Sequence, residues 1–229
     1  MGVGSCFEHH QRQKWERFVK VYAVADIHGN LEKYELIKTQ VLKLNPDILV
    51  IAGDAAHKTT PLFFNDLLDD LPIPVIAVRG ESDIQVANHP FDERPSIIST
   101  HLKTASCEGV SFIGLNGVTR RMLGIRHSYS REVIKAAEHL VNGKSVVVTH
   151  LPPRGCLDET FFGFHSGCKH LYELLVSRQP AALICGHLYN GSKITYLGKT
   201  LVVNCSVVKN CAGAMINFID GEVICADIL

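Results

Sequence analysis

Short apolar runs, each ending at Asp, Glu or His and four of the five with a Gly or Thr directly before that residue, recur through the 229-residue chain. FVKVYAVA (18–25) ends at Asp26, ILVIAG (48–53) at Asp54, and PVIAVRG (74–80) at Glu81-Ser82-Asp83. SVVVTH (145–150) closes on His150 and AALICGH (181–187) on His187. Between the first two lies LEKYELIKTQVLKL (31–44), which puts Leu31, Tyr34, Ile37, Val41 and Leu44 on one helical face, with Asn30 placed to cap it. A strand that is apolar at every position has both faces covered, and helices supply that cover in parallel sheets. The alternation predicts an α/β fold.

The remaining elements follow the same reading. TPLFFNDLLDDL (60–71) is a short helix, VSFIGLNG (110–117) a strand, and further helices are expected near 130–141 and 168–178. Residues 85–107 read as a surface excursion. The last four strand-like runs, KITYLG, KTLVVNC, GAMINFI and EVICADI, are separated by short turns and predict an antiparallel meander. No repeat or linker interrupts the chain. We expect a polar leader over 1–18 and one α/β domain with two sheets over 19–229.

Composition narrows the function. Lys+Arg and Asp+Glu balance at 23 each, so the chain has no charge excess for broad capture of nucleic acid or anionic membrane. No apolar run reaches the roughly 18 residues that span a bilayer. The first residues, MGVGSCFEHHQRQKWERF, form no signal-peptide core, and Cys6 stands where a myristoylation signal needs Ser or Thr. Eight cysteines are scattered without a CxxC pair, which reads as reduced thiols in a cytoplasmic protein.

In open α/β sheets the carboxyl ends of the strands line the ligand crevice. A single DxH, GD or GH is common by chance, and a lone histidine at a strand end is more often structural. Five such ends in order are another matter, because they bring carboxylates and imidazoles from five segments to one edge. Oxygen and nitrogen donors without cysteine suit Mn, Fe, Zn, Co or Ni.

The series DIHGN (26–30), GD (53–54), GESD (80–83), His150 and GHLY (186–189) resembles the calcineurin-like metallophosphoesterase superfamily over about residues 19–190. The resemblance implies a four-layer αββα sandwich and a centre of two divalent metal ions, Mn favoured, at the strand ends. It implies that Asp26 and His28 bind one ion, that Asp54 bridges both, and that His150 and His187 bind the second. Glu81 stands where the family has an Asn ligand to that second ion. Two ions sharing a carboxylate and a water generate hydroxide near neutral pH, which attacks phosphorus in line. The implied substrate is a small phosphodiester or phosphomonoester.

The chain departs from the pattern in its third and last motifs. Ser82 replaces a residue that, as His, assists the leaving group. Removing such an acid is typically worth roughly 10²–10⁴ in rate. Ser82 and the motif's final Asp83 are the candidate catalytic positions. His57, three residues past Asp54, and His165, at the expected start of a helix whose N-terminus can face an anion, are candidate substrate contacts. The substitutions also fit a phosphoesterase-fold scaffold, although a scaffold has little physical reason to keep five ligands.

Tyr189 occupies the last ligand position of the GHxH pattern. A tyrosine ligates poorly unless ionised, and its ordinary pKa is about 10. We read the ring as a cap on the crevice. Tyr189→Phe should therefore keep the metal stoichiometry of the parent in a Mn²⁺ titration, and Tyr189→His should raise occupancy of the first site and activity at limiting metal. Loss of an ion in Tyr189→Phe would identify a phenolate ligand.

Overall fold

The computed structural model describes residues 17–56, 71–85, 91, 97–117, 119–121, 126–160, 163–187, 192–208 and 210–229. Residues 1–16 of the expected leader, the 60–71 helix but for its last residue, His57 and Tyr189 lie outside these.

Two six-stranded mixed sheets face each other. The first contains β1 (Phe18–Val24), β2 (Ile48–Ala52), β3 (Val75–Val78) and β4 (Ile97–Ser99) in parallel. It is completed by β13 (Ala214–Ile219), antiparallel to β1, and β14 (Glu222–Ile228) at the edge. The second sheet has β6 (Val110–Leu115), β9 (Ser145–Thr149), β10 (Ala182–Cys185) and β12 (Thr200–Asn204) in parallel. Its antiparallel edges are β5 (Thr104–Cys107) and β11 (Lys193–Leu197). A small hairpin, β7 (Thr119–Arg121) with β8 (Arg126–Ser128), stands apart from both sheets.

Side-chain alternation along each strand builds three apolar layers. Val19, Val21, Ala23, Ile48, Val50, Ile76 and Val78 of the first sheet point inward against Val110, Phe112, Val146, Val148, Ile184 and Val203 of the second. Their neighbours Tyr22, Val24, Leu49, Ile51 and Ala77 face outward onto Tyr34, Ile37 and Val41 of helix α1 (Leu31–Leu44). On the far side, Ile113, Leu115, Val147, Leu183 and Val202 pack against α2 (Arg131–Glu138) and α3 (Lys169–Arg178). The result is the expected αββα order of layers. Helix α1 starts where the sequence placed it, because Asn30 accepts from the Lys33 N–H at 3.0 Å. It stops at Asn45, which turns left-handed (φ 46°).

Three expectations are corrected. The carboxyl-terminal strands do not form one meander. β11 and β12 pair within the second sheet, and β13 and β14 within the first. β12 and most of β13 are buried, so each needs a covered, central place, while β11 and β14 have the half-exposed pattern of edges. The stretch 85–107 is not only a surface excursion, since it supplies β4 and β5, one edge strand to each sheet, with buried Thr100 at the step between them. Both strands are short and mixed in polarity, so no apolar run marks them. Helix α3 begins at Lys169 with the Cys168 thiol as its cap, so His165-Ser166-Gly167 precede it rather than open it.

Phe112 lies wholly buried between the sheets, paired across β9 with Val146. Phe112→Ala should cost about 3–5 kcal/mol of unfolding free energy, read from the urea midpoint at unchanged slope. A loss below about 1 kcal/mol would contradict the tight inter-sheet layer.

Candidate metal centre

The carboxyl ends of β1, β2, β3, β9 and β10 meet at one edge, three from the first sheet and two from the second. Past β1 the chain makes one more bridge at Ala25 and then turns sharply at Asp26, whose φ is 59°. His28 (55°), Asp54 (52°) and His187 (74°) are left-handed as well. Such a backbone costs about 1–3 kcal/mol at each non-glycine residue and persists where surrounding contacts over-determine it. Those contacts are present. Asp26 N–H donates to Gly53 O at 3.2 Å, His28 N–H to Asp54 O at 2.8 Å and Gly29 N–H to Ala55 O at 2.9 Å, which zips the first two loops together. The cluster of left-handed residues carries no sequence signal beyond the motifs themselves.

Glycines set how closely these loops approach. A Cβ on Gly53 would lie 2.8 Å from His150 Nδ1, one on Gly80 would collide with the Asp54 carboxylate, and one on Gly186 would collide with Ala25. The Gly before Asp54, Glu81 and His187 is therefore a requirement of space as well as of turning.

One donor atom each from Asp26, Asp54 and His150 fall within 4.8 Å of one another, all three residues being buried. His150 Nε2 is 3.3 Å from Asp54 Oδ2 and 3.9 Å from Asp26 Oδ1. His28 borders the group, with Nε2 3.7 Å from Asp26 Oδ1 and Nδ1 3.9 Å from Asp54 Oδ2. His187 Nδ1 is 3.3 Å from His150 Nε2, the rings edge to face. Asp26 Oδ1 is buried and has no hydrogen-bond partner among the described residues. A bare buried acceptor costs about 1–3 kcal/mol. Its place beside a second carboxylate and an imidazole nitrogen matches the donor set of a divalent cation, so the residues fit such an ion.

Outer contacts aim these groups. His150 Nδ1 is 3.0 Å from Ala52 O, which turns Nε2 toward the carboxylates. The His150 N–H donates to the buried Tyr129 hydroxyl at 2.9 Å. Asp54 Oδ1 accepts from Ser82 N–H at 2.8 Å and Oδ2 from the Ser82 hydroxyl at 3.0 Å. Lys33 Nζ reaches the Asp26 carbonyl at 2.5 Å. Asp26 Oδ2 accepts from His187 N–H at 2.9 Å and from the Ser206 hydroxyl at 2.5 Å. Tyr129, Lys33 and Ser206 escaped the sequence reading. Lys33, on the first turn of a helix that starts beside DIHGN, was findable; Tyr129 and Ser206 sit in segments with no motif.

Asp83 is placed differently from its sequence assignment. It is fully buried, and its two oxygens accept the N–H groups of Ala56 and Gly80, each at 2.8 Å. It brackets the loops after β2 and β3 from behind, with no surface for a substrate. Glu81 is half-buried in the same turn and is not one of the three close donors. His165 Nδ1 lies 2.7 Å from Oδ1 of the buried Asp158, whose Oδ2 accepts Gly167 N–H at 3.0 Å, and the imidazole is half exposed. It sits on a loop that leaves the sheet just past His150 and closes through Cys168 N–H to Pro152 O at 2.9 Å.

Comparison with known proteins agrees with this fold. A profile described as calcineurin-like phosphoesterase matches residues 19–190. The protein MJ1162 of Methanocaldococcus jannaschii is 24% identical over 199 residues, covering 82% of this chain and 88% of the relative. The crystal structure of TT1561 of Thermus thermophilus is similar with a TM-score of 0.65 at 17% identity, over 92% of this chain and 98% of that one. A dimetal phosphatase from Danio rerio is similar with a TM-score of 0.60 at 10% identity, over 90% and 98%.

The charges of the cluster are strongly coupled. Burial alone would lower the His150 imidazole, but the charge of Asp54 and its hydrogen bond, with Asp26 and the Ala52 carbonyl, push it up to about 9. Burial would raise Asp54, yet His150, the Ser82 N–H and His28 hold it well below the usual carboxylate range. His150 has a folded value above its ordinary 6.5, so its contribution to stability is complete below that pH and is lost as pH rises through about 9. Chelator-treated protein should accordingly lose thermal stability between pH 7 and 10, and His150→Gln should flatten that limb. An identical decline in His150→Gln would refute the assignment.

Proposed function

The chain belongs to the calcineurin-like phosphoesterase family, and on that premise we propose that it hydrolyses a small phosphodiester or phosphomonoester with two divalent cations, Mn²⁺ favoured. Asp26 and His28 would hold the first ion, Asp54 would serve both, and Glu81, His150 and His187 would hold the second. The observation that carries this reading is Asp26 Oδ1, a buried oxygen without a partner among the described residues, beside Asp54 and His150. Bound cations supply Lewis-acid polarisation of the phosphoryl group and a lowered pKa for water. A bare buried oxygen beside a second carboxylate and an imidazole favours a cation-binding centre over a scaffold that has lost its ions.

The chain's own residues set what is hydrolysed well. The Ser82 hydroxyl points its proton at Asp54 Oδ2 and lies 3.4 Å from His28 Nδ1. A serine so placed orients the shared carboxylate and does not deliver a proton to a departing alkoxide as an imidazole does. The preferred substrates are thus esters whose leaving group departs unaided. His165, its ring fixed by Asp158, is the substrate contact we favour on the described loops. Support for a reducing, cytoplasmic setting comes from the cysteines, since all seven described ones are free thiols. Among the described residues no helix is long and apolar enough to cross a membrane.

The test is elemental analysis of the purified protein, followed by Mn²⁺-dependent hydrolysis of an aryl phosphodiester and of an alkyl phosphomonoester. We expect bound metal, faster cleavage of the activated diester, and loss of activity in Asp54→Asn. Metal-free, inactive parent protein would refute the enzyme, and full metal content with full activity in Asp54→Asn would refute the shared carboxylate.

A further inference from the structure

Chain direction explains an unusual feature of the centre. After β12 in the second sheet, the chain must cross to β13 in the first. It crosses beside the end of β1. Ala25 N–H donates to Cys205 O at 3.1 Å and Val207 N–H to Ala25 O at 2.9 Å, so residues 205–207 lie parallel to Ala25 as a short bridge between the sheets. Ser206 is the middle residue of that crossing and is completely buried.

Its hydroxyl has one proton and two acceptors within reach, Asp26 Oδ2 at 2.5 Å and Asn204 Oδ1 at 2.8 Å. Asn204 Oδ1 is already served by the Ser206 N–H at 3.0 Å, while Asn204 Nδ2 reaches Gly186 O at 3.3 Å. The shorter contact, of the length usual for a hydroxyl on a carboxylate, takes the proton. Oδ2 of Asp26 then holds two donors, this hydroxyl and the His187 N–H. Its lone pairs are used and its direction is set from two sides. The other oxygen, Oδ1, is left bare toward His28 and His150.

We propose that Ser206 is a positioning residue: carried on the strand crossover between the sheets, it pins Asp26 Oδ2 so that the carboxylate presents Oδ1 alone to a cation. The inference rests on the metal-dependent reading above. It gives the crossover a second task beyond connecting the sheets, because the segment that joins them also aims a ligand belonging to the first.

The experiment is calorimetric titration of metal-free protein with Mn²⁺, which needs no turnover. Ser206→Ala leaves no described buried group stranded, since Oδ2 keeps the His187 N–H and Asn204 Oδ1 keeps the backbone N–H of residue 206. The variant should fold, with Mn²⁺ affinity lower by roughly 10–100-fold. Ser206→Cys, close in shape and still a weak donor, should fall between the parent and Ser206→Ala. Ser192→Ala is the control. That hydroxyl donates to the Ser206 carbonyl at 3.0 Å without contacting Asp26, so its loss should leave affinity unchanged. Parent-like affinity in Ser206→Ala, or an equal loss in Ser192→Ala, overturns the positioning role while the metal-dependent reading stands. Failure of the parent protein to bind Mn²⁺ overturns both.

Discussion

The Asp26 carboxylate is the point on which the two sheets agree. The residue ends a strand of the first sheet, yet both donors to its Oδ2 come from chain leaving the second: His187 N–H after β10 and the Ser206 hydroxyl after β12. Its backbone is held on the other side by Gly53 O and by Lys33 Nζ. A buried carboxyl group is tolerated only when its oxygens are hydrogen-bonded or offered to a cation. Here one oxygen has the first solution and the other has the geometry for the second.

The same edge concentrates backbone strain. Asp26, His28, Asp54 and His187 are all left-handed, and all are candidate ligands. Turning a non-glycine residue this way lets a side chain leave a strand end and double back over it. The cost is met by the apolar layers beneath, where the strands are buried from end to end. Gly53, Gly80 and Gly186 then let the loops close on one another without a Cβ between them. Rigid strands, strained turns and absent side chains together form a close cluster of oxygen and nitrogen donors.

Ser82 shows how a turn supports the cluster through a single residue. Its N–H and hydroxyl both serve Asp54, so the turn after β3 fixes that carboxylate. Asp83, one residue later, fastens the same turn from behind through Ala56 and Gly80. The support of the loop is intact; under the proposed phosphoester hydrolysis, what differs is the group offered to a leaving oxygen.

Local pattern carried much of this into the sequence. Period-3.6 spacing located α1, apolar runs located the central strands, and the residues that end those runs named Asp26, Asp54 and His150, because such features depend on neighbours in the chain. Short range is also where that reading stopped. β4 and β5 have too few residues to show a period, and the partners of β11 to β14 depend on which faces are already covered, which turn length does not encode. Asp83 looked like Asp26 in sequence, a carboxylate after an apolar strand, and only the packed turn decides that it faces backbone N–H groups. Ser206 lies 180 residues from Asp26. Sequence alone determined the alternation of strands and helices and the kinds of donor at the strand ends, and the resemblance built on them implied the layers. Tertiary structure decided which oxygen of Asp26 is free, because that choice is made by hydrogen bonds from segments that meet only when the second sheet closes over the first.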